Sequence, residues 1–81
     1  MNIMNEITAF FQQKLPAIEL KADEDIFALG LVDSLFAVQI VAFVEDTFAI
    51  ECDDEDLELR NFCSIAALHE FVIKKMNAVN S

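Results

Sequence analysis

The segment that most constrains the fold covers residues 30–44, where the chain's only glycine is followed by a long apolar run. Because glycine tolerates positive φ, a turn forms most easily at Gly30, and the run at residues 36–44 favours a helix after it. Asp33 or Ser34 supplies the N-cap of that helix. The Ser34 hydroxyl then lies at the positive end of the helix, where unpaired N–H groups and the helix dipole stabilise any negative group attached to it.

The context of Ser34 is a second constraint, because the hexapeptide at residues 30–35 opens an apolar helix in a small acidic chain. In these features the sequence resembles the acyl and peptidyl carrier proteins, and the resemblance covers roughly the whole chain. It implies that Ser34 carries a covalent 4′-phosphopantetheine arm, which a phosphopantetheinyl transferase adds using coenzyme A and Mg²⁺. It also implies that the chain is not an enzyme, since the arm holds an acyl thioester on which partner enzymes act.

The longer run at residues 27–39, with residues 56–57 and 61–62 downstream, resembles one subgroup of these carriers. They are discrete proteins on which methoxymalonyl, hydroxymalonyl or aminomalonyl extender units are built for polyketide or hybrid nonribosomal peptide synthesis. Phe36 departs from fatty-acid carriers, which usually have Asp there, and Asp33 departs from the subgroup, which often has Asn. A D-alanyl or aminoacyl carrier and a cofactor-free acidic adaptor that binds a partner through its helix remain alternatives.

The resemblance also implies a surface for partner enzymes around Ser34 and along the helix that follows it. The expected partners are the transferase and acyl-loading, tailoring and acyltransferase or synthase enzymes. For the apolar side chains on that surface, and for Phe43, the alternative is a central helix covered by the other helices. The predicted partner-facing residues are Asp33, Leu35, Phe36, Val38, Gln39, Ala42, Glu45 and Asp46.

The charge of the chain narrows the class of partner. Fifteen acidic and five basic side chains give a formal charge of −10, which repels nucleic-acid phosphates and anionic lipid headgroups and favours proteins with basic patches. No apolar run approaches the ~20 residues that a membrane span needs, and the N-terminus lacks a signal-peptide pattern. We therefore expect a cytoplasmic monomer that binds neither nucleic acid nor membranes.

Apolar periodicity predicts a single all-α domain, a small four-helix bundle of three main helices and one short helix. The main helices are expected at residues 1–15, 34–48 and 64–76, and the short one at 54–59. Residues 16–33 should form a long ordered loop, attached to the bundle through Leu20, Ile26, Phe27, Leu29 and Leu31. The predicted core stripes are Ile3, Ile7, Phe10 and Phe11; Ala37, Ile40, Val41, Val44 and Phe48; and Ile65, Leu68, Phe71, Val72 and Met76.

Other chemistry is not supported by the residue patterns. Cys52 and Cys63 have no metal-ligand or redox spacing, and free thiols are favoured over a disulfide. The acidic run at residues 53–56 lacks the glycine of an EF-hand loop and is interpreted as a solvated face that attracts basic partners. Ser34 lacks the glycines of a nucleophile elbow, and His69 is expected at the surface of a helix, so no catalytic or metal site is predicted.

Overall fold

The computed structural model describes residues 2–80, which form three α-helices joined by two long connections. No strand occurs among these residues, and the predicted all-α fold is confirmed. Two 3-10 turns stand in place of the single short helix predicted at residues 54–59. The elements are α1 (Ile3–Lys14), α2 (Ser34–Phe48), the 3-10 turns (Asp54–Asp56 and Leu59–Asn61) and α3 (Ile65–Asn80).

The predicted short helix is interrupted after Asp56, whose carbonyl does not accept the hydrogen bond of a continuous helix. In a continuous α-helix it would accept a hydrogen bond from the N–H of Arg60. Instead it accepts from the Glu58 N–H at 2.9 Å and from Nδ2 of Asn61 at 2.8 Å. The Asn61 side chain therefore links the second turn to the end of the first, a contact of a polar residue that apolar periodicity does not reveal.

The ends of α1 and α3 are fixed by identifiable groups. Oδ1 of Asn2 accepts from the N–H of Asn5 at 3.0 Å and caps α1, and the predicted stop at Pro16 follows the last turn. The buried Ser64 caps α3 as predicted, since its Oγ accepts from the N–H of Ala67 at 3.1 Å. The predicted end of this helix at residue 76 is wrong, because it continues through residue 80; Met1 and Ser81 lie outside the described residues.

The core follows the predicted stripes. Each fully buried aliphatic or aromatic side chain contributes roughly 1.5–3 kcal/mol to folding by leaving water. Ile50 and Phe62 are also buried although neither belongs to a helical stripe, and the Phe62 ring meets Phe71 edge to face with centroids 5.4 Å apart. The stripe residues that are buried are Ile7, Phe10, Phe11, Ile40, Val44, Phe48, Ile65, Leu68, Phe71 and Val72, and Ile3, Val41 and Met76 are partly buried.

A cluster of phenylalanines joins α1 to α2. The rings of Phe10 and Phe43 stack with centroids 4.2 Å apart, and the ring of Phe36 lies 6.0 Å from those of Phe10 and Phe11. These stacked and tilted ring contacts add to the gain from burial. For Phe36 and Phe43 the interior alternative is therefore correct, and α1 covers one side of α2.

The connection at residues 16–33 is held in place by backbone hydrogen bonds to the start of α3. The N–H of Ile26 donates to the carbonyl of Cys63, and the N–H of Ala66 donates to that of Ala22, both at 2.7 Å. Ile26 is fully buried, whereas Leu29 is 53% exposed and does not attach the loop as predicted. The other predicted loop residues, Leu20, Phe27 and Leu31, are partly buried.

The turn that leads into α2 is centred on Gly30, whose φ of 72° lies in the left-handed region that glycine favours, as predicted. The N–H of Gly30 donates to the carbonyl of Phe27 and that of Leu31 to Ile26, each at 3.1 Å. These bonds fix the direction in which the chain reaches Ser34. Among residues 2–80, no helix combines the length and hydropathy needed to cross a bilayer.

Candidate functional site

Ser34 is exposed and is the first residue of α2. The N-cap, which the sequence left open between two residues, is Asp33: its Oδ1 accepts from the N–H groups of Leu35 at 3.1 Å and Phe36 at 3.3 Å. The capping requirement of the helix is thus met without the serine hydroxyl. Ser34 is left as an exposed hydroxyl on a rigid helix end, which is suitable geometry for covalent modification.

The same cap changes the expected electrostatics of the site. The sequence predicted that unpaired N–H groups at the helix N-terminus would stabilise a negative group on Ser34. Two of these donors, on Leu35 and Phe36, instead bond to Asp33, whose carboxylate also places a negative charge at this helix end. The helix terminus alone therefore favours a phosphodiester less than expected, and a cation nearby becomes relevant.

An exposed face of α2 extends from Ser34 along the helix. Leu35 and Val38 are each 64% exposed, and the spacing of the exposed residues at i, i+3, i+4, i+7 and i+11 aligns them on one side. Two large apolar side chains beside Ser34 with a polar rim have the character of a docking surface. We call this set the outer face: Leu35, Val38, Gln39, Ala42 and Asp46.

Two of the predicted partner-facing residues make internal contacts instead. Phe36 is partly buried in the phenylalanine cluster. Glu45 is partly buried, and its Oε2 accepts from the backbone N–H of Cys52 at 2.9 Å, which fixes the chain after α2. Helical periodicity places these two residues beside the outer face and not on it, at i+1 and i+10 from Leu35. Their particular contacts depend on α1 and on the connection that follows α2, which local sequence does not reveal.

A shallow groove of about 470 Å³ adjoins the site where the end of α1 meets the start of α2. It is lined from α1 by Lys14, from the preceding turn by residues 30–33, and from α2 by Phe36 and Gln39 among others. Of the described residues that line it, Lys14 is the only basic one. Sequence reasoning missed Lys14 as a site residue, since only the packing of α1 beside α2 brings it there.

A larger groove of about 590 Å³ lies between α1 and residues 15–21. Its lining residues include Phe11 and Ile65 but none from α2 or from the turn before it. Leu15 lines both grooves, but the larger one reaches neither α2 nor the turn before Ser34. Its volume alone does not connect it with the predicted attachment site.

The acidic run is only partly the solvated face that the sequence predicted. Oδ2 of Asp56 lies 2.7 Å from Nζ of Lys75, and Oδ2 of Asp53 lies 3.4 Å from it. The hydrogen bond from Lys75 lowers the pKa of Asp56, and the same bond raises the pKa of Lys75. Asp54 and Glu55 remain exposed, and residues 2–80 contain no group of three or more side chains arranged to hold a metal ion.

The remaining reactive side chains lie apart from Ser34. Cys52 and Cys63 are free and partly buried, and burial together with Glu45 raises the pKa of the Cys52 thiol to about 11. This thiol is therefore protonated and a weak nucleophile at neutral pH. His69, the only imidazole in the chain, lines a groove on α3 that contains no described residue of α2, so it supplies no base there.

Comparison with known proteins agrees with this geometry. The family described as "Phosphopantetheine attachment site" matches residues 3–68. The chain is 37% identical over 70 residues to a protein named "Aminoacyl carrier protein" from Agrobacterium fabrum (strain C58 / ATCC 33970). The aligned region covers 85% of this chain and 83% of the relative. No solved structure matches it. The chain belongs to the phosphopantetheine attachment family, whose members are carriers with a covalent 4′-phosphopantetheine and not catalysts.

Proposed function

We propose that the chain is a discrete acyl carrier and that Ser34 bears its 4′-phosphopantetheine arm. The observation that carries this proposal is the exposed position of Ser34 at the start of α2, within the part of the chain that the family matches. Because Asp33 caps the helix, the serine hydroxyl is available to a transferase without loss of a structural hydrogen bond. The carrier receives the arm from coenzyme A through a phosphopantetheinyl transferase.

The protein contributes tethering and recognition, while the chemistry belongs to the arm and to the partner enzymes. The thiol of the arm holds the acyl group as a thioester. Tethering replaces a bimolecular encounter by an intramolecular one and so raises the effective concentration of the cargo at each active site. A small bundle is adequate for this role because it needs no enclosed reaction pocket.

The outer face and the adjacent Asp33 form the proposed partner surface. Leu35 and Val38 supply apolar contact area, and Asp33 and Asp46 supply negative charge beside it. With a formal charge of −10 over the chain, partners with basic patches would associate faster and in a defined orientation. The partners we propose are the transferase and acyl-loading, tailoring and acyltransferase or synthase enzymes.

The proposed cargo is a polyketide or hybrid nonribosomal peptide extender unit, such as a methoxymalonyl, hydroxymalonyl or aminomalonyl group. Support comes from the sequence around Ser34, including Phe36, where fatty-acid carriers usually have Asp. The packing of Phe36 gives a physical reason for that difference, since the position supports the bundle through the phenylalanine cluster, a contact that an aspartate could not make.

An aminoacyl cargo is the second candidate. It is favoured by the 37% identity to a relative whose name is "Aminoacyl carrier protein". The cofactor-free adaptor is not retained, because the chain belongs to a family defined by its cofactor. The two cargo classes differ in the loading enzyme that each requires.

Attachment is tested by intact-protein mass after incubation with coenzyme A, Mg²⁺ and a promiscuous phosphopantetheinyl transferase. We expect the wild-type chain and a Thr8→Ala control, which lacks a hydroxyl elsewhere, to gain one arm. Ser34→Ala should gain none while retaining its helical circular dichroism. Modification of Ser34→Ala, or none of a folded wild-type chain, would contradict the proposal.

Cargo is tested on the arm-bearing protein with panels of loading enzymes. Adenylating enzymes with ATP and amino acids form one panel, and acyl-loading enzymes with malonyl-type or hydroxyacyl donors form the other. A mass gain only with the second panel supports an extender-unit carrier. A mass gain only with the first contradicts a methoxymalonyl or hydroxymalonyl cargo. It supports the aminoacyl alternative or an aminomalonyl unit made from a tethered amino acid, and the tethered group is an aminoacyl cargo if its mass stays unchanged when oxidising tailoring enzymes are added.

A further inference from the structure

We propose that the groove between α1 and α2 holds the phosphate-proximal part of the arm and that Lys14 is the cation that pairs with its phosphodiester. This inference rests on the proposed attachment at Ser34. It goes further by assigning a binding role to a residue of a different helix. The arm is the covalent cofactor of the family, and the groove offers it the donors Lys14 and Gln39 together with apolar side chains.

Two backbone N–H donors at the start of α2 are already engaged by a carboxylate. A phosphodiester on Ser34 would adjoin the Asp33 carboxylate, which already accepts from the N–H groups of Leu35 and Phe36. A second negative charge there is repelled by Asp33, so a cation supplied from outside this helix end would stabilise it. Acidic side chains outnumber basic ones by fifteen to five in the chain, so such groups are scarce.

The candidate cation is Lys14. It lies in the last turn of α1 and is exposed, and it lines the groove together with Asp33 and Leu35, the two neighbours of Ser34 in the chain. Its Nζ lies 5.8 Å from the centroid of the Phe10 ring, a contact with a ring face that leaves the ammonium accessible. A flexible lysine stem suits a phosphate that is fixed at one end only.

The other residues that line the groove offer both polar and apolar contacts. The exposed amide of Gln39 is able both to donate to and to accept from the amides of a pantetheine chain. The side chains of Leu15, Leu31 and Val32 offer apolar surface to its gem-dimethyl group. With a volume of about 470 Å³, the groove accommodates part of the arm and leaves the thiol end free to reach partner enzymes.

The test compares the ¹⁵N-labelled apo chain with the arm-bearing chain by NMR, after intact mass has established complete conversion. Residues 33–36 change in any case because they adjoin the modified serine. Lys14 and Leu15 belong to a different part of the chain and report on the groove. We expect their signals to shift on arm attachment, with nuclear Overhauser contacts from the Lys14 side chain to the gem-dimethyl group of the arm.

Matched variants isolate the role of charge. Lys14→Met keeps an unbranched stem without the ammonium, Lys14→Arg keeps the charge, and Lys74→Met removes a lysine from an exposed site on α3. We expect the shift difference at Leu15 to fall by about half or more in Lys14→Met and to persist in the other two. In wild-type protein it should also shrink at 1 M salt, where the screening length is about 3 Å.

The outcomes separate this inference from the proposed function. Complete attachment at Ser34 with unchanged signals at Lys14 and Leu15 overturns the inference and leaves the carrier function intact. Equal shifts in wild type and Lys14→Met overturn the ionic role of Lys14. Failure of a folded chain to gain the arm, seen directly in the mass spectrum, overturns the proposed function and this inference together.

Discussion

Both faces of α2 carry large aliphatic side chains, but the environments of these side chains are opposite. Ile40 and Val44 on the inner face are fully buried, whereas Leu35 and Val38 on the outer face are each 64% exposed. A single exposed leucine is ordinary on a protein surface, but adjacent large apolar side chains beside a candidate modification site are the basis of the proposed partner surface. The difference shows that hydrophobicity alone does not tell core from surface in α2, and that the side chains left uncovered by the other helices are the candidates for partner contacts.

The largest expected difference is in stability. Ile40→Ala should lower the free energy of unfolding by about 2–5 kcal/mol, because it leaves a cavity in the core. The matched Val38→Ala should change it by no more than about 0.5 kcal/mol, since its side chain already contacts water. Urea denaturation measures both, and equal losses would remove the distinction between the faces.

Phe36→Ala sharpens the boundary between the faces. We expect a loss of about 1–3 kcal/mol, less than for a fully buried phenylalanine, because its ring is partly exposed while packing on Phe10 and Phe11. Leu35→Ala, one residue earlier, is the control and should be near neutral in the same urea experiment. If Phe36→Ala left the free energy of unfolding unchanged, Phe36 would have to be assigned to the outer face.

Asp33→Ala tests whether the helix is capped independently of Ser34. Removal of the cap should cost about 1 kcal/mol, and Asp33→Asn should retain most of that stability because its side-chain oxygen still accepts from the backbone. Thermal unfolding of the two variants gives the comparison. If Asp33→Asn lost as much as Asp33→Ala, charge and not capping would be the role of Asp33.

The smallest expected effect lies away from both faces of α2, in the contact of Lys75 with Asp56. Because the folded-state pKa of Asp56 is lowered below its ordinary value of 3.8, the contribution of Asp56 to the free energy of unfolding is fully present above about pH 4. That contribution is lost as the pH falls through the lower folded-state value. The pKa of Lys75 is raised in the folded state, so its contribution to the free energy of unfolding is lost only when the pH rises through that folded-state pKa.

Urea midpoints measured between pH 3 and pH 7 test this dependence. Lys75→Met should reduce the loss of stability on acidification, whereas the control Lys74→Met should leave it unchanged. An identical pH profile for wild type and Lys75→Met would show that the contact contributes nothing measurable. In neither variant should arm attachment change, because the contact lies on α3 and the first 3-10 turn.

The sequence predicted the regular parts of the fold because their signals are local. The stripes of α1 and α3, the turn at Gly30 and the cap at Ser64 each depend on residues a few positions apart. The short helix was mispredicted because its interruption at residues 57–58 leaves no mark in the apolar pattern, and the Asn61 contact found there is made by a polar side chain. The exposure of Leu29 also could not be predicted, since it depends on how the loop lies against the bundle.

The residues of the candidate site also form two groups, those that local sequence identifies and those that only packing brings to the site. Ser34 could be singled out from its neighbours in the chain, because a turn, a polar pair and an apolar helix follow one another there. The internal contacts of Phe36 and Glu45, and the position of Lys14, arise from packing between distant segments. Residues of this second kind become visible only when the helices are assembled.

The most direct test of the account is a methyl-resolved NMR titration with a phosphopantetheinyl transferase and coenzyme A. Ser34→Ala is the suitable form of the chain, because it should bind the enzyme without being modified. We predict that the methyl signals of Leu35, Val38 and Ala42 shift or broaden while those of Ile40 and Val44 do not. Changes centred on the exposed Leu57 and Leu59, with the outer face of α2 unaffected, would contradict the account.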